Sequence, residues 1–225
     1  MRLAILASGS GTNAQAIIEA VQAGRLDADV RVVLTNRPGA GVIARAQAAC
    51  IPVEIVPSKG IADREAYDRS VLEVLSRYDV EAVALAGWMR ILSEPFVKAY
   101  EGRMVNLHPA ILPSFTGATG IADACAHGVK ITGCTVHLVS AELDAGPIVI
   151  QAAVPVQGGL EGTEERIHRL EHLILPQALQ WMAEGRIAVE GRTVVLAPAA
   201  REVTLTSFVD GCLVSPPLEN HIPQK

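Results

Sequence analysis

The chain has 225 residues, 50% of them hydrophobic and 19% charged, and carries a net charge of -5 from 19 basic and 24 acidic side chains. So much apolar surface excludes a disordered chain, and at this length folding removes roughly 70% of the surface an extended chain exposes, without need of a disulfide or metal staple. The acidic balance argues against a broad nucleic-acid footprint, which needs clustered Lys and Arg, but leaves room for one phosphate held by backbone amides.

In chain order, residues 3–7 form a short continuous apolar run ended by Ser8-Gly9-Ser10-Gly11, the pattern of a strand buried on both faces. A helix follows over 12–21, with Ile17, Ile18 and Val21 on one face, then a second buried strand over 30–34 closed by Asn36-Arg37-Pro38-Gly39. Residues 40–49 read as helix and 53–56 as a short strand after Pro52. Asp63 is placed to cap a helix running to about Tyr78. Strand four spans 81–86, Pro95 starts another helix, and strand five spans 104–107. This alternation predicts an α/β fold, a Rossmann-like, mostly parallel twisted sheet with helices on both faces. After residue 110 the pattern changes to mixed strands over 132–139 and 147–156, a long amphipathic helix over 163–182 interrupted by Pro176, and a hairpin over 187–196 turning at Gly191-Arg192. From Ala200 on, Pro216, Pro217 and Pro223 suggest a loosely attached tail.

Cys50, Cys125, Cys134 and Cys212 show neither a C-x-x-C pair nor zinc spacing, and read as reduced thiols used as small hydrophobes. Arg2 is followed by too short an apolar run for a signal peptide, and no stretch approaches the ~18 apolar residues of a membrane span. A cytoplasmic protein is expected, without membrane or nucleic-acid partners.

Two places carry chemistry. Gly9-Ser10-Gly11-Thr12-Asn13 lies between the first strand and first helix, where glycines let several N–H groups converge at a helix N-terminus and cradle a phosphate. The same turn is also compatible with a merely tight connection. It satisfies G-x-G-x-x-A, but strand two ends in Leu34-Thr35-Asn36 without the acidic residue a dinucleotide fold uses on ribose. The second place is Asn106-Leu107-His108-Pro109: period-two alternation puts Asn106 and His108 on one face at the end of strand five, where parallel sheets bind ligands. Taken alone, this pair, like Asp144 in Leu143-Asp144-Ala145-Gly146-Pro147, also fits a structural role.

The segments 4–13 (AILASGSGTN), 85–92 (LAGWMRIL), 106–113 (NLHPAILP) and 144–147 (DAGP) together resemble the phosphoribosylglycinamide formyltransferase family, in order and spacing over roughly residues 1–198. The resemblance implies the formyltransferase fold, with a formyltransferase domain over 1–198, its phosphate-binding half about 1–103 and its catalytic and folate half about 104–198, followed by a tail over 199–225. It implies transfer of a formyl group from 10-formyltetrahydrofolate, as co-substrate, to the primary amine of glycinamide ribonucleotide, with no metal, and is compatible with a homodimer.

By the same resemblance Asn106, His108 and Asp144 are the catalytic set. Amine attack on the formyl carbon creates an oxyanion that Asn106 and a cationic His108 are suited to receive, and Asp144 would favour the imidazolium. Gly11, Thr12, Asn13 and Glu171 match ribonucleotide-binding positions. Arg64, Met89, Arg90, Ile91 and Leu92, with Asn106, match folate-binding positions. Without the resemblance, Met89, Ile91 and Leu92 also fit core packing and Glu171 a solvated helix charge. His137 is expected to be structural or supporting. Thr119 departs from the family pattern, standing where a second histidine is usual. Relatives formylate a methionyl-tRNA or a sugar-nucleotide amine, or hydrolyse formyl-folate; the tRNA enzyme is expected to carry a larger basic C-terminal domain and the hydrolase an extra N-terminal domain, whereas here the first strand begins at residue 3. An inactive binding module and a nicotinamide oxidoreductase are the remaining alternatives.

Overall fold

A computed structural model describes residues 1–197 and 207–219. The five apolar runs become β1 (Arg2–Leu6), β2 (Asp29–Thr35), β3 (Val53–Ile55), β4 (Ala82–Leu85) and β5 (Met104–His108), parallel in the order β3-β2-β1-β4-β5. Alternation along β1 shows why both faces must be apolar. Leu3 and Ile5 join a core beneath α1 (Thr12–Gln22), whereas Ala4 and Leu6 join a second core beneath α3 (Arg64–Arg77) and α4 (Glu94–Ala99). Between them, α2 (Val42–Ala48) links β2 to β3. Asp63 caps α3 as expected, its Oδ1 accepting the Ala66 N–H at 3.0 Å.

Beyond β5 the sheet turns antiparallel. Following α5 (Gly120–His127), β6 (Ile131–Leu138) pairs with β5 and β7 (Ile148–Pro155) with β6. Then come α6 (Gly159–Ala183) and the expected hairpin of β8 (Ile187–Glu190) and β9 (Thr193–Leu196), which touches β7 at Ile148–Thr193.

Three expectations are corrected. The short helix α5 stands where none was predicted. Pro176 does not interrupt α6, which runs unbroken for 25 residues. An interior proline costs about 3 kcal/mol, and the buried face formed by Ile167, Leu170, Ile174, Leu175, Ala178, Leu179 and Trp181 outweighs it. The C-terminal segment is not loosely attached where it is described. β10 (Ser207–Val209) and β11 (Cys212–Ser215) form a hairpin on the sheet edge, β11 pairing with β7 and burying Cys212 and Val214. Glu219 then takes two 2.7 Å bonds from Arg186 and donates its N–H to Gln177 Oε1 at 3.0 Å. Residues 198–206 and 220–225, including Pro223, lie outside the described part.

Candidate active site

Antiparallel register places His137 directly opposite Asn106 and Thr135 opposite His108. Asn106 and His108 project, with Met104, on the α3/α4 side of the sheet. Thr135 holds the turn after β5 by donating to the Ala110 carbonyl at 2.7 Å and accepting the Leu112 N–H at 3.2 Å. The third member arrives from the β6–β7 loop. Asp144 adopts a left-handed backbone (φ 53) and turns its carboxylate inward until only 6% of the side chain is exposed.

Around that carboxylate the distances are short. Its Oδ2 lies 3.5 Å from His108 Nδ1 and accepts the Gly117 N–H at 2.9 Å. Its Oδ1 lies 3.5 Å from Asn106 Nδ2 and 3.8 Å from His137 Nε2. The structure thus brings Asn106, His108 and Asp144 together. The 3.5 Å separations are long for hydrogen bonds, a geometry that tightens when a reacting group enters. His108 Nε2 sits 2.8 Å from the Phe115 carbonyl. Both its nitrogens therefore face acceptors, and the ring carrying two protons is the form that donates to both.

His137 stands as the supporting residue the sequence suggested, against the Asn106 amide. Its Nδ1 donates to the Leu138 carbonyl at 2.9 Å, which leaves Nε2 as the acceptor for the Asn106 amide at 3.1 Å. Burial lowers its pKa, outweighing the raising effects of that carbonyl bond and of Asp144. A depressed histidine stabilises the fold above its unfolded value and loses that contribution as pH falls through the folded one. Unfolding free energy measured in urea should therefore drop between about pH 7 and pH 5, and the drop should shrink in His137→Asn. His172, shifted down chiefly by burial as well, acts in the same sense, whereas His168, raised by its bond to Glu171, opposes it.

The Asn106–His108–Asp144 cluster opens onto a cavity of about 340 Å³ lined by residues 87–92, 106–109, 117–118 and 139–144, with Leu85, Val97 and His137. Met89 and Ile91 are about half exposed on its wall, so they are not core, whereas Leu92 packs into the second core. Ser8 fixes this wall by accepting the Met89 N–H at 2.9 Å and donating its own N–H to Gly87. The Arg90 guanidinium stacks 4.2 Å above the Tyr67 ring. A mostly apolar slot with a few polar anchors suits a flat heterocycle. Arg64 stands exposed at the first position of α3, away from the cavity lining. Thr119, also exposed, directs its hydroxyl to Asp123 at 2.7 Å.

At the glycine turn, Gly11 caps α1 in the left-handed region (φ 76) without a side-chain bond, so the first-turn amides of Thr12 and Asn13 have no cap. A Cβ on Gly11 would meet Val42 Cβ at 2.6 Å. Gly11→Ala is expected to cost about 1–3 kcal/mol of stability and to raise the KM for a phosphorylated substrate more than it lowers kcat; denaturation curves and steady-state kinetics check both. Glu171 is 3% exposed rather than solvated, and its Oε2 accepts from Asn13 Nδ2 at 3.0 Å.

An amide, an imidazole and a carboxylate gathered at the carboxyl end of β5 beside an apolar cavity are groups of the kind acyl-transfer enzymes use. The formyl transferase family profile matches residues 1–179, and the chain belongs to that family. It is 39% identical over 189 residues to the phosphoribosylglycinamide formyltransferase of Escherichia coli, covering 83% of this chain and 89% of that protein. It is 42% identical to the trifunctional purine biosynthetic protein adenosine-3 of Gallus gallus over 84% of this chain, but spans 19% of that protein's length. The glycinamide ribonucleotide transformylase 1 structure from Symbiobacterium toebii superposes with a TM-score of 0.85 at 41% identity, covering 87% of this chain and 93% of that one.

Proposed function

We propose that the protein transfers the formyl group of 10-formyltetrahydrofolate to the primary amine of glycinamide ribonucleotide. The observation that carries this reading is the convergence of Asn106, His108 and Asp144 from β5 and the β6–β7 loop onto an apolar slot pinned, through Ser8, to the anion-accepting turn. Gly11, Thr12 and Asn13 would hold the phosphate, Glu171 would approach the ribose side, and the Met89–Leu92 wall would face the pteridine. Arg90, on the cavity wall, would supply a cation for the acidic end of the folate, and Arg64, outside the lining, is given a folate contact by the family resemblance alone.

The amine nitrogen attacks the formyl carbon, the C–N bond forms, and the carbonyl electrons move onto oxygen. Asn106 Nδ2 and His108 donate to that oxyanion, an effect of about 3 kcal/mol per donor. As imidazolium, His108 gives its proton to N10 of the folate as the C–N10 bond breaks and the formyl C=O re-forms, and the neutral ring then takes the proton that the attacking nitrogen gives up. For His108 Nε2 to reach the reacting oxygen, the Phe115 carbonyl must withdraw. Asp144 keeps the ring oriented throughout and favours its cationic form.

The acceptor is assigned by testing amines side by side. Tetrahydrofolate should appear when glycinamide ribonucleotide is added, and not with methionyl-tRNA or an amino-sugar nucleotide. Faster release with either of those would replace the proposed substrate.

A further inference from the structure

Glu171 poses an electrostatic problem. It buries a carboxylate beside the turn that is to receive an anion, where a like charge repels the ligand and an unpaired buried charge is costly. The answer lies one turn earlier on α6. His168, with half of its side chain exposed, places Nδ1 2.8 Å from the same Oε2 that accepts from Asn13.

We infer that His168 is a positioning residue for the ribonucleotide: as a cation it neutralises Glu171 and fixes the Glu171–Asn13 pair, so that the turn accepts a phosphate monoester. Losing that proton leaves a net negative charge behind the turn and weakens ribonucleotide binding, with little effect on the chemical step. The inference rests on the ribonucleotide assignment above and adds a group that touches neither reacting atom.

The surrounding charges support it. The bond to Glu171 raises the pKa of His168 against the opposing effect of burial, and the Glu171 and Glu164 charges act in the same sense. From the same helix His172 is shifted the other way by burial, with Glu19 of α1 and Arg45 of α2 acting on it in opposite directions. Arg45 is committed to the Ser10 carbonyl at 2.8 Å. The helix α5 also packs on α6, but its Asp123 and His127 are not among the influences on His168. A raised histidine gives its full contribution below the unfolded value and loses it as pH rises through the folded one. Binding should therefore weaken on the alkaline side.

The test measures kcat and both KM values from about pH 6.5 to pH 9.5 for the wild type, H168Q and H168K. The lysine keeps its charge over most of this range, so comparison with it removes the titration of the substrate's own phosphate and amine. The wild-type KM for glycinamide ribonucleotide should climb about three- to tenfold more than that of H168K. H168Q should start high and show no such extra climb, while the folate KM and kcat follow one course in all three proteins. Calorimetric titration with ribose 5-phosphate should reproduce the same order of affinity without turnover.

An active H168Q with the wild-type ribonucleotide KM and profile, or an H168K as weak as H168Q, overturns the inference alone. Absence of formyl transfer together with His168-dependent binding of ribose 5-phosphate overturns the substrate assignment and leaves the inference standing. Absence of both overturns both.

Discussion

His108→Ala is expected to lower kcat by about three orders of magnitude, because it removes at once an oxyanion donor and the proton carrier. The KM for the ribonucleotide should change little, since the Gly11–Asn13 turn and Glu171 are held by contacts His108 does not share. Structure should also suffer modestly. The variant strips the Phe115 carbonyl of its partner and leaves the Asp144 carboxylate with the Gly117 N–H and Asn106, a loss of about 1–3 kcal/mol. Single-turnover formyl transfer with protein verified as folded by circular dichroism separates the two effects. A rate within tenfold of the wild type would remove His108 from the mechanism.

Asp144→Asn is the sharper variant, since it removes charge and keeps shape. Asparagine tolerates the left-handed backbone at φ 53 better than other non-glycine residues, and its amide oxygen still accepts the Gly117 N–H. The melting temperature should therefore stay within a few degrees of the wild type. Turnover should fall by about 10²- to 10³-fold, because the imidazolium next to it loses its counter-charge and its orientation. A variant both stable and fully active would contradict the arrangement proposed for the site.

The parallel half of the fold was legible because its strands are continuous apolar runs closed by Gly, Pro or Asn, and period-two spacing put Asn106 and His108 on one face before any contact was known. The helix α5 was not, since eight residues rich in Ala and bounded by Gly120 and Gly128 carry little periodicity. Pro176 misled because its cost is local, while the burial that offsets it depends on partners distant in the chain. The C-terminal hairpin did leave a signal: Asp210-Gly211 between Ser207–Val209 and Cys212–Ser215 is a strong two-residue turn, overshadowed by the prolines after it. The convergence of Asp144, the amide-orienting role of His137 and the His168–Glu171–Asn13 chain depend on side chains 38, 31 and 158 positions apart meeting in space, which no local pattern encodes.

Following the fate of a labelled formyl carbon tests the central claim most directly. With 10-[14C]formyltetrahydrofolate and glycinamide ribonucleotide supplied together, the label should leave the folate and appear in the formylated ribonucleotide, one for each tetrahydrofolate released, and stay on the folate when the ribonucleotide is withheld. Label recovered as free formate at the same rate with or without the ribonucleotide would show the site to be hydrolytic and contradict the assignment.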